Sequence, residues 1–169
     1  AGVSGIVLGG TLGEASTLTR IEKSALIKNT VEIVENKIPV LMNIAEQSTS
    51  EAIVSVQNAE KDGASGLMIL PPMRYKASDK ETVAYFKSVA KSTSLPIMIY
   101  NNPIDYKIEV TLGMFDELLQ CDNIQAVKES TRDISNVTRI INCFGDRLKI
   151  MTGVDTIALE SLLMGAHGW

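Results

Sequence analysis

Three short stretches of this chain carry side chains suited to carbonyl chemistry. Lys128 ends the apolar run Ile124-Gln-Ala-Val-Lys128. An ammonium at the end of such a run is partly desolvated, which disfavours its charged form and frees the amine to attack a ketone. The plainer alternative is a lysine that reaches water and pairs with Glu129 or Glu160. Tyr100 ends Pro96-Ile-Met-Ile-Tyr100, and a phenol there can both give and take a proton. Asn101, Asn102 and Pro103 follow it and describe a sharply turned loop that fixes the ring, although aromatic packing alone would also account for the residue. Gly9-Gly-Thr-Leu-Gly-Glu14 follows another apolar run. Its glycines let the backbone approach an anion, and the Thr11 hydroxyl adds a donor. A simple glycine turn is the competing reading. The order G-x-G-x-x-G is missing, so this loop does not read as a nucleotide cradle.

Chemistry from three loops needs elements that bring the loops together. Apolar runs at Gly5–Leu8, Ile38–Asn43, Gly66–Leu70, Pro96–Tyr100, Ile124–Lys128 and Leu148–Thr152 have the length and continuity of strands buried on both faces. Between them, helical spacing is expected over Arg20–Glu35 after Thr19, Glu51–Asp62 after Ser50, and Lys80–Ser92 after Asp79. Three more helices are expected over Leu112–Gln120 after Thr111, Ile134–Phe144 after Asp133, and Ile157–Met164 after Thr156. The result is an α/β chain of about six βα units, repeating every roughly 24 to 34 residues. Such alternation implies a parallel sheet covered by helices, and periodicity alone leaves a barrel and an open doubly wound sheet equally supported. In either one, the site lies beyond the carboxyl ends of the strands. No linker divides residues 1–169, so one domain is expected.

Composition narrows the classes further. The 169 residues are 45% hydrophobic with a net charge of −4, and the 16 Lys and Arg residues are scattered, which argues against a nucleic-acid partner. No apolar run is long enough to span a bilayer, so a membrane partner is not expected either. Cys121 and Cys143 lie far apart with no nearby histidine, which suggests neither a disulfide framework nor a metal site and fits the cytoplasm. His167 and the seven methionines read as structural, and Glu14 as a tether that binds backbone N–H groups of its own loop.

The motifs together resemble those of the pyruvate-dependent lyases typified by dihydrodipicolinate synthase and N-acetylneuraminate lyase. Gly10-Thr-Leu-Gly-Glu14 is similar to the family's Gly-[Thr/Ser]-x-Gly-Glu loop, Tyr100-Asn-Asn-Pro103 to Tyr-Asn-x-Pro, and Lys128-Glu-Ser130 to Lys-[Glu/Asp]-[Ser/Ala]. The resemblance implies a (β/α)8 TIM barrel, here without its first and last βα units, and a homotetramer or dimer using no cofactor or metal. It further implies that Lys128 forms an imine with a 2-keto acid. Tyr100 and Thr11 would then move protons, while amides at Gly10, Thr11 and Leu12 hold the substrate carboxylate.

Some positions depart from the lysine-pathway synthases. Asp105 stands where those enzymes bind a second carboxylate with arginine, and Leu12 replaces a second threonine. Met73 and Arg74 occupy a Tyr-Tyr pair whose second ring is donated across a dimer, and Tyr75 is the nearest substitute. Pro71–Tyr75, Tyr100-Asn-Asn-Pro103 and Thr152-Gly-Val-Asp155 are similar to the branch holding Δ1-pyrroline-4-hydroxy-2-carboxylate deaminases, so a deaminase or dehydratase of a cyclic imino acid is the expected activity. A carbon–carbon aldolase or synthase and a non-catalytic keto-acid-binding paralogue are the alternatives.

Overall fold

A computed structural model describes residues 2–72 and 75–169. Six parallel strands pair in strict sequence order: β1 (Ile6–Leu8), β2 (Val40–Ile44), β3 (Gly66–Ile69), β4 (Ile97–Asn101), β5 (Ile124–Glu129) and β6 (Lys149–Thr152). A doubly wound sheet reverses its strand order at a switch point, whereas this one never does. The sheet is a curled part of a (β/α) barrel, which settles the alternative that periodicity left open. Beyond β6, His167 and Gly168 pair with Ile150 and Thr152 in a further parallel bridge. His167 is structural there, its Nδ1 accepting from the Ile150 N–H at 3.1 Å.

The helices α1 (Arg20–Val34), α2 (Thr49–Lys61), α3 (Asp79–Ala90), α4 (Pro103–Tyr106), α5 (Leu112–Leu118), α6 (Ser135–Phe144) and α7 (Ala158–Leu163) fall between and after the strands. Thr19 and Thr111 cap α1 and α5 as expected. Two other caps differ. Ser48 rather than Ser50 caps α2, and Ser78 rather than Asp79 caps α3. In both, the cap stands three residues before a glutamate whose N–H it receives, Glu51 and Glu81, the spacing that satisfies a free first-turn donor. At α6, Asp133 accepts from the Ser135 N–H at 3.0 Å, one residue later than expected. A 3-10 turn at Asp155–Ile157 takes up what was expected as the start of α7. The four-residue α4, begun by Pro103, occupies what the sequence suggested was only a loop.

Alternation along each strand divides the apolar side chains into two groups. Leu8, Met42, Leu67, Ile69, Ile97, Ile99, Val127 and Ile150 face the helices in one large core. Met68, Leu70, Met98 and Tyr100 face the opposite way and form the barrel interior, joined by Leu41, Ala126 and Met151. The methionines on β2, β3, β4 and β6 thus fill space on both sides.

One irregularity matters for function. Ile97 pairs with Ile124 but Met98 pairs with Ala126, so Gln125 is an extra, bulged residue on β5. A one-residue slip reverses every side chain that follows it. Without the bulge, Lys128 would share the helix-facing phase of Ile124; with it, Lys128 pairs with Tyr100 on the inner face. Ile99→Ala should cost about 2–5 kcal/mol because it empties a fully buried site. Gln125→Ala should stay within about 0.5 kcal/mol because the side chain is exposed. Urea unfolding of the two variants checks the assignment of faces.

Candidate active site

Lys128 and Tyr100 are Cα partners across the β4–β5 ladder. The Lys128 Nζ lies 4.4 Å from the centroid of the Tyr100 ring, over its face, where the ring quadrupole attracts a cation. Lys128 is half-buried and Tyr100 is buried, so the amine sits at the barrel mouth against an apolar floor of Met68, Leu70 and Met98. The expected alternative, a lysine paired with Glu129 or Glu160, does not describe this arrangement. Glu129 is one residue further along β5 and faces the helices, where its carboxylate accepts from the Thr131 N–H at 2.7 Å, Asn136 Nδ2 at 2.9 Å and Asn101 Nδ2 at 3.2 Å. Burial pushes its carboxyl above the ordinary range, and those hydrogen bonds offset part of the rise. In the Lys128-Glu-Ser130 motif the glutamate is therefore an anchor for the loop after β5.

Two further contacts position the lysine. Gly153, just after β6, leaves its space to the Lys128 side chain: a Cβ there would come 2.8 Å from Lys128 Cε and would also collide with Ser130 Oγ. Ser130 is buried on the lysine side of β5, and its hydroxyl has no hydrogen-bond partner among the described residues.

The phenol of Tyr100 accepts from Asn102 Nδ2 at 3.1 Å, and the same amide donates to Asp105 Oδ2 at 2.7 Å. Asn101 pins the loop behind it by exchanging two hydrogen bonds with the Val110 backbone.

The glycine turn lies beyond β1. Gly9 has φ 61°, and a Cβ there would press on the Met42 side chain. Asn43 on β2 donates to the Gly9 carbonyl at 2.7 Å, which ties the turn to the barrel mouth. Gly10 precedes a 3-10 turn at Thr11–Gly13 whose first amides, those of Thr11 and Leu12, are left over by the turn's own hydrogen bonding. The Leu12 side chain is fully exposed. Among the described residues the tether is made by the Glu14 backbone and not by the carboxylate expected: Glu14 takes φ 61°, and its carbonyl receives Thr17 N and Oγ1, both at 2.9 Å. The Thr11 hydroxyl meets the phenol of Tyr106, at 2.5 Å. Tyr106 in turn packs edge-on against Tyr100, with ring centroids 5.5 Å apart.

Sequence reasoning missed Tyr106, and it quoted Ser130 and Gly153 within motifs without giving either a role. The only signal for Tyr106 was its place six residues after Tyr100, which says nothing until α4 folds it back towards the turn beyond β1. The substitutions at Met73 and Arg74 lie outside the described residues. A cleft of about 330 Å3 between α5 and α6, lined by Val110, Thr111, Asn136 and Arg139, takes in none of the motif residues. Among the described residues there is no cluster of His, Cys, Asp and Glu that could hold a metal ion, and no helix long and apolar enough to cross a membrane.

The sequence model of the Dihydrodipicolinate synthetase family matches residues 1–169. The chain belongs to that family. Among its relatives, the 4-hydroxy-tetrahydrodipicolinate synthase of Clostridium perfringens is 34% identical over 163 residues, covering 96% of this chain and 56% of the relative. That of Oceanobacillus iheyensis is 32% identical over 167 residues, covering 99% and 57%. The crystal structure of dihydrodipicolinate synthase from Aquifex aeolicus superposes with a TM-score of 0.94 at 30% identity, covering 99% of this chain and 57% of that one. This chain thus spans a little over half the length of the family members it matches, and the matched part holds all three motifs.

Gly153 offers a direct check on how the lysine is placed. Gly153→Ala should cost about 1–3 kcal/mol of stability through overpacking. It should also displace Lys128 from the Tyr100 ring. Urea unfolding reads the first effect and a crystal structure of the variant the second.

Proposed function

We propose that the protein is a lysine-imine lyase in which Lys128 condenses with the keto group of pyruvate or a related 2-keto acid. The observation that carries this reading is the Lys128 amine held over the Tyr100 ring at the mouth of the barrel. The amine lone pair attacks C2 and forms a C–N bond while the carbonyl π pair moves to oxygen. That oxygen takes two protons in turn and leaves as water as the nitrogen lone pair closes the C=N bond. Tyr100 stands beside the amine to carry those protons, with the Thr11 hydroxyl assisting. Amides of Thr11 and Leu12, next to Gly10, hold the carboxylate. The Ser130 hydroxyl is a further hydrogen-bonding group within reach of a substrate bound there. Once protonated, the imine draws electrons from C3, so that a proton is lost and the resulting enamine adds to an aldehyde, or the reverse.

The relatives quoted above are named as synthases. Their names support the aldolase or synthase reading over the cyclic-imine deaminase that the finer motif similarities suggest. Asp105 sets a limit on that chemistry. It places a carboxylate one amide away from the Tyr100 phenol, which repels an acidic second substrate and favours a neutral or cationic aldehyde. Assembly as a homotetramer or dimer, and a cytoplasmic setting consistent with the free thiols of Cys121 and Cys143, belong to the same reading.

Borohydride reduction of the full-length protein with pyruvate, followed by peptide mass spectrometry, should show an adduct on Lys128 that Lys128→Ala abolishes. An absent adduct, or one on another lysine, would leave only a binding role. Pyruvate consumption with aldehydes should then exceed ammonia release from the cyclic imino acid, and the opposite result would restore the deaminase.

A further inference from the structure

The phenol of Tyr106 is joined to the glycine turn through Thr11, and the lysine-imine reading gives it no part. We infer that Tyr106 is a positioning residue of the proton relay, supplied from within the same chain, which fixes the Thr11 hydroxyl so that its hydrogen points to the substrate oxygen. The inference rests on the lysine-imine reading and deepens it.

The geometry is specific. The two hydroxyl oxygens are 2.5 Å apart across 95 residues of sequence, so the contact is made by the fold and not by local chain. Either oxygen could donate in principle, but a phenol is the stronger acid, so Tyr106 donates and Thr11 accepts. Thr11 then keeps its own hydrogen for another acceptor. Burial pushes the Tyr106 phenol above its ordinary range, with the neighbouring Tyr100 and Asp105 adding to the rise and the Thr11 hydrogen bond opposing it. The proton therefore stays on Tyr106 well into alkaline solution. The groups that face it are Thr11 beyond β1, Tyr100 on β4 and Asp105 on α4, while Lys128 on β5 lies over the Tyr100 ring. The edge-on contact with Tyr100 holds both phenols in fixed relation, so that Tyr100, Thr11 and Tyr106 line one side of the mouth. All three come from one chain.

The chemical part is small and balanced. During imine formation the carbinolamine oxygen gains a proton from the Tyr100–Thr11 side and departs as water. Thr11 is re-protonated by Tyr106, and the phenolate left on Tyr106 recovers its proton from solvent. No bond other than O–H changes on the three side chains.

The test is the rate of borohydride-trapped adduct formation with pyruvate between pH 6 and 10, in the full-length wild type and in Tyr106→Phe, which keeps the ring against Tyr100. The variant should trap pyruvate about 10- to 100-fold more slowly at saturation. Its half-saturating pyruvate concentration and melting temperature should stay near those of the wild type. The deficit in rate should hold across this pH range, because the Tyr106 phenol keeps its proton over it. A variant that traps at the wild-type rate with the wild-type pH profile overturns the inference. So does a loss of rate in Tyr75→Phe that Tyr106→Phe does not share, which would assign the relay phenol to Tyr75. A wild type that forms no adduct overturns the lysine-imine reading itself.

Discussion

Lys128 reaches Tyr100 because β5 carries one residue more than its partner strand. Parallel neighbours in a sheet point their side chains the same way at each paired position, so the face on which a residue stands is set by register alone. The bulge at Gln125 changes that register by one between Ile124 and Ala126. Every feature of the site downstream depends on it. Lys128 turns into the barrel mouth, and Glu129 turns out towards α6, where Asn101, Thr131 and Asn136 receive it. Had the strands paired without the extra residue, Val127 would stand beside Tyr100 and the amine among the helices.

The rest of the site is held by close contacts that tolerate little bulk. Gly153 leaves room beside β6 for the lysine side chain, and the Asn43 amide ties the turn beyond β1 to β2. Asn102 links the Tyr100 phenol to Asp105, and Tyr106 links the Thr11 hydroxyl to the Tyr100 ring. Four strand ends thus contribute to one small volume, which is the arrangement a barrel makes available and a single loop does not. The inner face below is apolar and rich in methionine, so the polar groups are concentrated at the mouth.

Much of this was legible in the sequence, for identifiable reasons. Strands buried on both faces leave continuous apolar runs, and all six strands lie within two residues of those runs at either end. The motif residues at the ends of β1, β4 and β5 could be placed because chemistry in such folds sits at carboxyl ends. Three things were not legible. The bulge leaves no mark in the run Ile124-Gln-Ala-Val-Lys128, since an exposed Gln125 reads as an ordinary strand residue. Helix starts at α2 and α3 were misplaced because several neighbouring Ser, Thr and Asp residues compete as caps, and the glutamate three residues later decides. Tyr106 could not be read as part of the site because its partner, Thr11, is far away in sequence and meets it only after the barrel curls.

The most direct measurement is a crystal structure of the full-length protein reduced with borohydride in the presence of pyruvate. Continuous density from Lys128 Nζ to C2 of the substrate is expected, with the carboxylate at the amides of Thr11 and Leu12 and the Tyr100 phenol beside the new C–N bond. Pyruvate held without a covalent bond, or joined to a lysine outside the barrel mouth, would contradict the account.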